Sequence, residues 1–193
     1  MNYTLQRILA ALMLAAFFPL FVLIALLTAI CSGRPVFYRD RRLGMNMEMF
    51  TLLKFRTMNG DDLGELTPEQ QEEWAKYGKL KDDGRMTRWG RLLRHYSMDE
   101  LPQLCNVVRG EMALVGPRPI KEYEDRLYGD FSPLIHSVKP GITGLWQVSG
   151  RNLVAYHRRI AMNIYYVRNR SWKLDMWILF KTVWAVLSGR GAF

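Results

Sequence analysis

Two adjacent carboxylates carry the clearest capacity for chemistry: Asp99 and Glu100, within Arg94-His95-Tyr96-Ser97-Met98-Asp99-Glu100-Leu101-Pro102-Gln103-Leu104. The Ser97-x-x-Glu100 spacing is that of a capping box and predicts a helix start. Behind it, Leu101, Leu104, Val107 and Val108 repeat at the spacing of a packed helix face. Pro102 is comfortable only in a first turn, so a start one or two residues later, with Asp99 at the cap, is the other register. The unpaired N–H groups of a helix start favour anions, keeping a carboxylate ionised and seating a phosphate beside it. An ionised Asp at such a seat can serve as a nucleophile or hold a metal ion. A capped helix with acidic first-turn residues and no chemistry fits the same spacing.

Several cations are placed to meet a phosphate. Lys54 and Arg56 alternate at the end of the strand-like run Met49-Phe50-Thr51-Leu52-Leu53-Lys54-Phe55, so they share a face. Arg118 stands between Pro117 and Pro119, where a nearly fixed backbone suits a preorganised bidentate phosphate contact. Val138 to Asn152 is dense in glycine, with Trp146, Gln147 and Arg151 interleaved. Glycines permit close backbone approach to a ligand, although no dinucleotide or P-loop order is present. Arg88, Arg91 and Arg94 recur three apart on a predicted helix whose other face carries Trp89, Leu92 and Leu93. Such a cationic amphipathic helix suits an anionic membrane surface. Each of these also has a plain reading as solvated strand, turn or helix charge.

The elements that must position these groups begin with Ile8 to Ile30, an uncharged run reaching the ~20 residues that span a bilayer core. Pro19 sits in its middle and breaks or kinks a helix. Arg7 precedes the run and Arg34, Arg39, Arg41 and Arg42 follow it, so both flanks are basic. The residues alone support equally a kinked span and a re-entrant helix that returns to the side it entered. Val36-Phe37-Tyr38 and Met49 to Phe55 read as a hairpin around Gly44 to Asn46. Residues 59–66 read as a polar loop. Thr67-Pro68-Glu69-Gln70 opens an acidic surface helix, and a short strand over 111–115 leads into Pro117-Arg118-Pro119. Lys121 to Tyr128 and Leu153 to Arg168 read as helices, the latter with an aromatic face around Tyr165 and Tyr166. Ser171 caps a last helix, Trp172 to Leu187, which stops at Gly189 and sets Trp177 and Trp184 on one interfacial face. These elements amount to an α+β fold, mainly helical, with residues 1–32 as a membrane helix and 33–193 as a small domain lying on the membrane.

The 193 residues carry a net charge of +9, which suggests an anionic partner. No groove-reading or base-stacking module accompanies the charge, so acidic lipid explains it better than nucleic acid. Cys31 and Cys105 have no metal-ligand spacing and read as free thiols.

Taken in order, four segments resemble the bacterial sugar transferase family, the monotopic polyprenyl-phosphate glycosyl-1-phosphate transferases, in its short form. They are Lys54-Phe55-Arg56-Thr57-Met58, Ser97-x-Asp99-Glu100-Leu101-Pro102-Gln103-Leu104-x-Asn106-Val107, Gly110-Glu111-Met112-x-Leu114-Val115-Gly116-Pro117-Arg118-Pro119 and Lys139-Pro140-Gly141-Ile142-Thr143-Gly144-x-Trp146-Gln147-Val148. The resemblance implies an enzyme on the cytoplasmic face of the bacterial inner membrane. It would move a sugar-1-phosphate from a UDP-sugar to undecaprenyl phosphate and release UMP, in the first membrane step of a glycan pathway. It implies a ping-pong route in which Asp99 forms a covalent phosphosugar intermediate beside Glu100, the two carboxylates holding Mg2+. It also implies that Lys54, Arg94, Arg118 and Arg151 bind phosphate, and that the membrane helix is re-entrant with its break at Pro19. Two positions depart from the family pattern: Phe18 replaces a serine before that proline, and Asn163 stands where an Asp usually precedes the Tyr pair. The Asn163 departure is the one feature favouring the alternative, a membrane-tethered scaffold that kept the fold and lost turnover.

Overall fold

The uncharged N-terminal run folds as two helices set at an angle. In the computed structural model, which describes residues 1–59, 67–77, 83–189 and 191 (backbone alone for 73–77), α1 spans Tyr3–Ala16 and α2 spans Phe18–Cys31. The two are bent by 65°. Pro19 lies in the first turn of α2, and having no N–H it cannot extend the ladder of α1, so the break falls at Phe17. No single helix among the described residues is long and apolar enough to cross a membrane, whereas the bent pair together is. α1 is pinned by polar groups. Arg7 Nε donates to the Val108 carbonyl, and the buried Gln6 accepts from the Leu114 N–H at 2.7 Å.

Strands β1 (Phe37–Leu43) and β2 (Met49–Phe55) form an antiparallel hairpin with Phe37 opposite Phe55 and Leu43 opposite Met49. The first strand runs five residues past Tyr38, because the charged run Arg39 to Arg42 pairs with β2 despite its polarity. Helix α3 (Pro68–Tyr77) opens on the expected reciprocal cap: Gln70 N–H to Thr67 Oγ1, and Thr67 N–H to Gln70 Oε1. Apart from Asn59, the polar loop expected over 59–66 lies outside the described residues. Helix α4 (Arg88–His95) follows, capped by Thr87. Its Trp89 indole donates to Thr28 on α2 and Leu93 is buried in a cluster with α2, while Leu92 stays exposed, so part of the apolar face expected to meet lipid packs on α2 instead.

The expected helix start at Ser97 is not formed. Ser97 adopts a left-handed backbone (φ 55) with no side-chain cap, and Met98–Glu100 is a single 3-10 turn. Pro102 has no N–H to return to the Met98 carbonyl, which takes the Leu101 N–H instead. Helix α5 begins only at Gln103 and runs to Arg109. Asp99 and Glu100 therefore sit in a tight turn ahead of the helix, and no helix terminus accounts for their ionisation.

β3 (Ala113–Val115) pairs in parallel with β4 (Gly141–Thr143), a strand hidden in the glycine-dense stretch. Between them lie α6 (Glu122–Asp125), a 3-10 segment over Arg126–Phe131 and α7 (Ser132–Ile135), where the sequence suggested one short helix. The helix expected over Lys121 to Tyr128 is α6 followed by the start of the 3-10 segment, in which Gly129, just beyond it, departs from helical geometry. α8 (Leu145–Val148), α9 (Tyr156–Arg168) and α10 (Trp172–Ser188) complete the order. α10 carries the expected Ser171 cap and Gly189 stop. The expected shared aromatic face on α9 divides: Tyr165 is exposed, while Tyr166 is buried with its hydroxyl on Asp175. The core gathers Ala10, Leu52, Leu104, Val107, Met112, Leu114, Val115, Tyr166 and Ile178 from six elements. Outside it, Trp177, Phe180 and Trp184 of α10 stand exposed.

Candidate active site

Lys54, Arg94, Asp99, Glu100, Arg118 and Arg151 all line one open cleft of about 1940 Å³, whose wall also includes Phe17 and Leu20 from the break between α1 and α2. The site residues named by the sequence are thus brought together, with the apolar helix pair at their side. Pro19 lies beside this wall in sequence, in the turn between Phe17 and Leu20.

Lys54 reaches the dyad through β2. The buried Asn106 of α5 acts as a false strand: its Oδ1 accepts from the Leu53 N–H at 3.1 Å, and its Nδ2 donates to the Thr51 carbonyl at 2.7 Å. That bridge locks β2 to the segment bearing the dyad. Lys54 Nζ then lies 2.9 Å from Glu100 Oε1, and Arg118 Nη1 lies 3.5 Å from the same oxygen. Burial pushes the Glu100 carboxyl up, but Lys54 and Arg118 outweigh it and hold it down at about 2. Asp99 is buried and its carboxyl is pushed above its ordinary value by that burial, against the pull of Lys54, Arg94 and Arg118. The helix terminus expected to hold an ionised Asp99 is absent, and burial works against its charge while the neighbouring cations support it.

The remaining cations are fixed by different means. Arg94 closes α4 and donates through Nε to Thr57 Oγ1 at 3.1 Å. Arg56, which the strand alternation paired with Lys54, is spent on the Met58 and Arg34 carbonyls. Arg151 donates through Nη2 to Ser97 Oγ, so two residues with left-handed backbones hold each other at the rim of the dyad turn. Its Nη1 is buried with no partner among the described residues. Burial lowers the Arg151 pKa, partly offset by the charges of Glu100 and Asp99.

The glycines expected to admit a ligand admit backbone instead. A Cβ on Gly141 would stand 2.1 Å from the Gly116 nitrogen, and one on Gly144 would stand 2.4 Å from the Gly116 oxygen. Sequence reasoning missed Thr57 and Arg159 in the cleft wall, and it gave Asn106 no role. A buried asparagine inside an apolar helix face was the available signal for the last. Asn163 is buried on α9 and donates to the Tyr128 hydroxyl at 2.9 Å.

Two carboxylates side by side are the donor type that suits Mg2+, which takes one or two protein carboxylates and completes its shell with water and substrate phosphates. Among the described residues no cluster of three or more metal-ligating acids, histidines or cysteines occurs.

Comparison with known proteins places this geometry in context. Residues 1–189 match the family model described as bacterial sugar transferase. The exopolysaccharide production protein ExoY of Sinorhizobium fredii is 46% identical over 192 residues, covering 96% of this chain and 85% of that protein. The undecaprenyl-phosphate galactose phosphotransferase of Salmonella typhimurium is 46% identical over 168 residues, 84% of this chain and 35% of that protein. The UDP-glucose:undecaprenyl-phosphate glucose-1-phosphate transferase of Caulobacter vibrioides is 37% identical over 197 residues, 98% of this chain and 70% of that protein.

Proposed function

The chain belongs to the bacterial sugar transferase family, and from that premise we propose that it transfers a sugar-1-phosphate from a UDP-sugar to undecaprenyl phosphate. UMP is released, and the step begins an exopolysaccharide or lipopolysaccharide pathway at the cytoplasmic face of the bacterial inner membrane. The observation that carries the reading is the convergence of Asp99 and Glu100 with Lys54, Arg94, Arg118 and Arg151 in a cleft walled on one side by the apolar break at Phe17 and Leu20. A water-soluble diphosphate and a lipid-borne phosphate can meet there. The bent helix pair is read as a re-entrant anchor, and the exposed Trp177, Phe180 and Trp184 as contacts with anionic membrane.

The mechanism runs in two displacements at one phosphorus. An Asp99 oxygen attacks the sugar-bearing phosphorus, and the bond from that phosphorus to the bridging oxygen breaks. Its electron pair leaves on UMP, giving an aspartyl–phosphosugar anhydride. An oxygen of undecaprenyl phosphate then attacks the same phosphorus, Asp99 departs as carboxylate, and the lipid carries the sugar through a diphosphate. Charge builds on the phosphoryl oxygens in both steps, and Lys54, Arg94, Arg118 and Arg151 are set to oppose it. Mg2+ held by Asp99 and Glu100 would add Lewis-acid stabilisation of the diphosphate. Burial of Asp99 leaves a poorly solvated carboxylate, which reacts without first shedding a hydration shell.

The test is UMP release from a panel of UDP-sugars by detergent-solubilised protein with Mg2+ and undecaprenyl phosphate, comparing wild type with Asp99→Asn. Mg2+-dependent release that the substitution abolishes is expected, with a labelled sugar phosphate retained on wild-type protein when acceptor is withheld. Full activity in Asp99→Asn would end the covalent reading.

A further inference from the structure

Arg159, on α9, lines the same cleft and has no part in the chemistry above. Its Nε donates to the Val154 carbonyl at 2.8 Å and its Nη2 to the Asn152 carbonyl at 3.0 Å, which orients the guanidinium. The hydrogen bonds of Arg159 among the described residues run through Nε and Nη2, leaving Nη1 open to a ligand. The guanidinium carbon of Arg159 lies 4.7 Å from the centroid of the Trp146 ring, and that of Arg118 lies 5.9 Å from the same centroid. No carboxylate among the described residues stands within ion-pair distance of Arg159. Two guanidiniums at one indole with no acid of their own between them repel each other. Consistent with this, burial and then the charge of Arg118 draw the Arg159 pKa down. Arg151, by contrast, is supported by Glu100 and Asp99, and Arg159 draws no such support from the dyad. Arg118 therefore stands between the two groups, touching Glu100 on one side and sharing Trp146 with Arg159 on the other.

We propose that Arg159, with Arg118 and the Trp146 ring, forms a second phosphate subsite that holds the phosphate remaining with the nucleotide when the sugar phosphate moves to Asp99. The inference rests on the reaction proposed above. A donor diphosphate carries two phosphates in series. The one attacked must lie at Asp99, and its neighbour needs cations displaced from the dyad. When the bond to the bridging oxygen breaks, that oxygen keeps the electron pair and becomes a terminal oxygen of UMP, where the unspent Nη1 of Arg159 can donate to the phosphate. Contact with the Trp146 ring holds the two guanidiniums near one another before substrate arrives. Undecaprenyl phosphate is also a phosphate monoester, so the two ligands are tested separately.

Binding of UMP and of uridine is measured by calorimetry on the full chain in detergent, for wild type, Arg159→Ala, Arg159→Gln and Arg159→Lys. The expected result is about tenfold weaker UMP binding in Arg159→Ala, partial recovery in Arg159→Lys and unchanged uridine binding. The KM for undecaprenyl phosphate stays at the wild-type value. Arg159→Gln, whose amide can still donate to one loop carbonyl, serves if the alanine variant does not fold. Unchanged UMP affinity overturns the proposal. An equal loss of UMP and uridine binding also overturns it, because it reduces Arg159 to a staple for the loop before α9. A raised acceptor KM with intact UMP binding overturns it in favour of a lipid-phosphate site. UMP release that still requires Asp99 in the same preparation keeps the parent reaction standing in each of these cases. A preparation that neither turns over a UDP-sugar nor binds UMP loses both.

Discussion

The two small sheets deliver cations to the same carboxylate by opposite means. The β1–β2 hairpin is seven residues deep on each side and presents Lys54 as a side chain on a long ladder. It is held from outside by side chains: Asn106 bridges to β2, and Arg42 on β1 reaches Asp40 and the Pro119 carbonyl. β3 and β4 are three residues each, too short to hold a register alone. They are locked chiefly by backbone against backbone, with the Gly141 N–H on the Pro117 carbonyl and the Gly116 N–H on the Thr143 carbonyl, while the Gln6 side chain accepts from the free edge of β3 at Leu114. Arg118 leaves directly from that lock. A hairpin supported by side chains tolerates change at single positions, while a lock made of glycines has no atom to give.

The largest effect is expected where the lock is forced. In Gly141→Ala the new Cβ would stand 2.1 Å from the Gly116 nitrogen and 2.6 Å from the Thr143 oxygen, both backbone atoms. Neither can rotate away, so destabilisation beyond about 4 kcal/mol is expected. Yield and thermal unfolding in detergent are the measurements, and a near-wild-type melting temperature would break the comparison. Lys54→Met comes next. The ladder of β2 and the Asn106 bridge do not use the ammonium, so circular dichroism should be retained, while UMP release falls on the order of 100-fold. A fold lost together with activity would mean that the hairpin, too, depends on the site.

What the sequence made legible follows from how local each signal was. The Thr67–Gln70 box and the Ser171 cap with its Gly189 stop depend on atoms within one turn, and they appear where the spacing placed them. The dyad turn misled because Ser97-x-x-Glu100 matches a capping box, while Pro102 withholds the N–H needed to run the ladder. β4 escaped because three residues between glycines show no alternation; its partner lies 28 positions away in the register Ala113 to Gly141. Asn106 and Gln6 carry strand-like hydrogen bonds to segments distant in sequence. The cations of the site were legible as types and motifs. Their convergence on one carboxylate was not, since it is made by Asn106 and the glycine lock together.

Within the dyad the two carboxylates should respond oppositely to charge removal. Burial raises Asp99, so ionising it costs the fold more than the unfolded chain; the stability linked to its protonated form is present below the ordinary value of 3.8 and lost as pH rises through the raised one. Asp99→Asn keeps that neutral form at all pH and should melt a few degrees above wild type near pH 7, although inactive. Glu100 is held down at about 2 despite burial, so its contribution is complete above the ordinary value of 4.5 and lost as pH falls toward 2. Glu100→Gln should therefore melt below wild type at pH 7, with the difference closing in acid. Scans of both variants between pH 3 and pH 8 check the signs, and a shared direction would overturn this division. UMP release by wild type should decline on acidification at a higher pH than an unperturbed aspartate would give.

The smallest effect should come from a glycine at the hairpin tip. Gly44 has a negative φ of −106°, which alanine adopts without strain. A Cβ there would meet the Glu48 oxygen at 3.1 Å and the Phe50 ring at 3.2 Å. Phe50 is a partly buried side chain that can shift by tenths of an ångström, and the tip is otherwise held by the Asn46 N–H on the His136 carbonyl. Gly44→Ala should cost about 1 kcal/mol or less and leave UMP release within twofold of wild type. The same substitution at Gly141 would drive the Cβ to 2.1 Å and 2.6 Å from backbone atoms, against 3.1 Å for the Glu48 backbone oxygen at Gly44, so the pair of variants separates severe overlap from a tight contact at a glycine. If Gly44→Ala proves as damaging as Gly141→Ala, the hairpin is as tightly locked as the parallel strands. Lys54 would then be held as rigidly as Arg118.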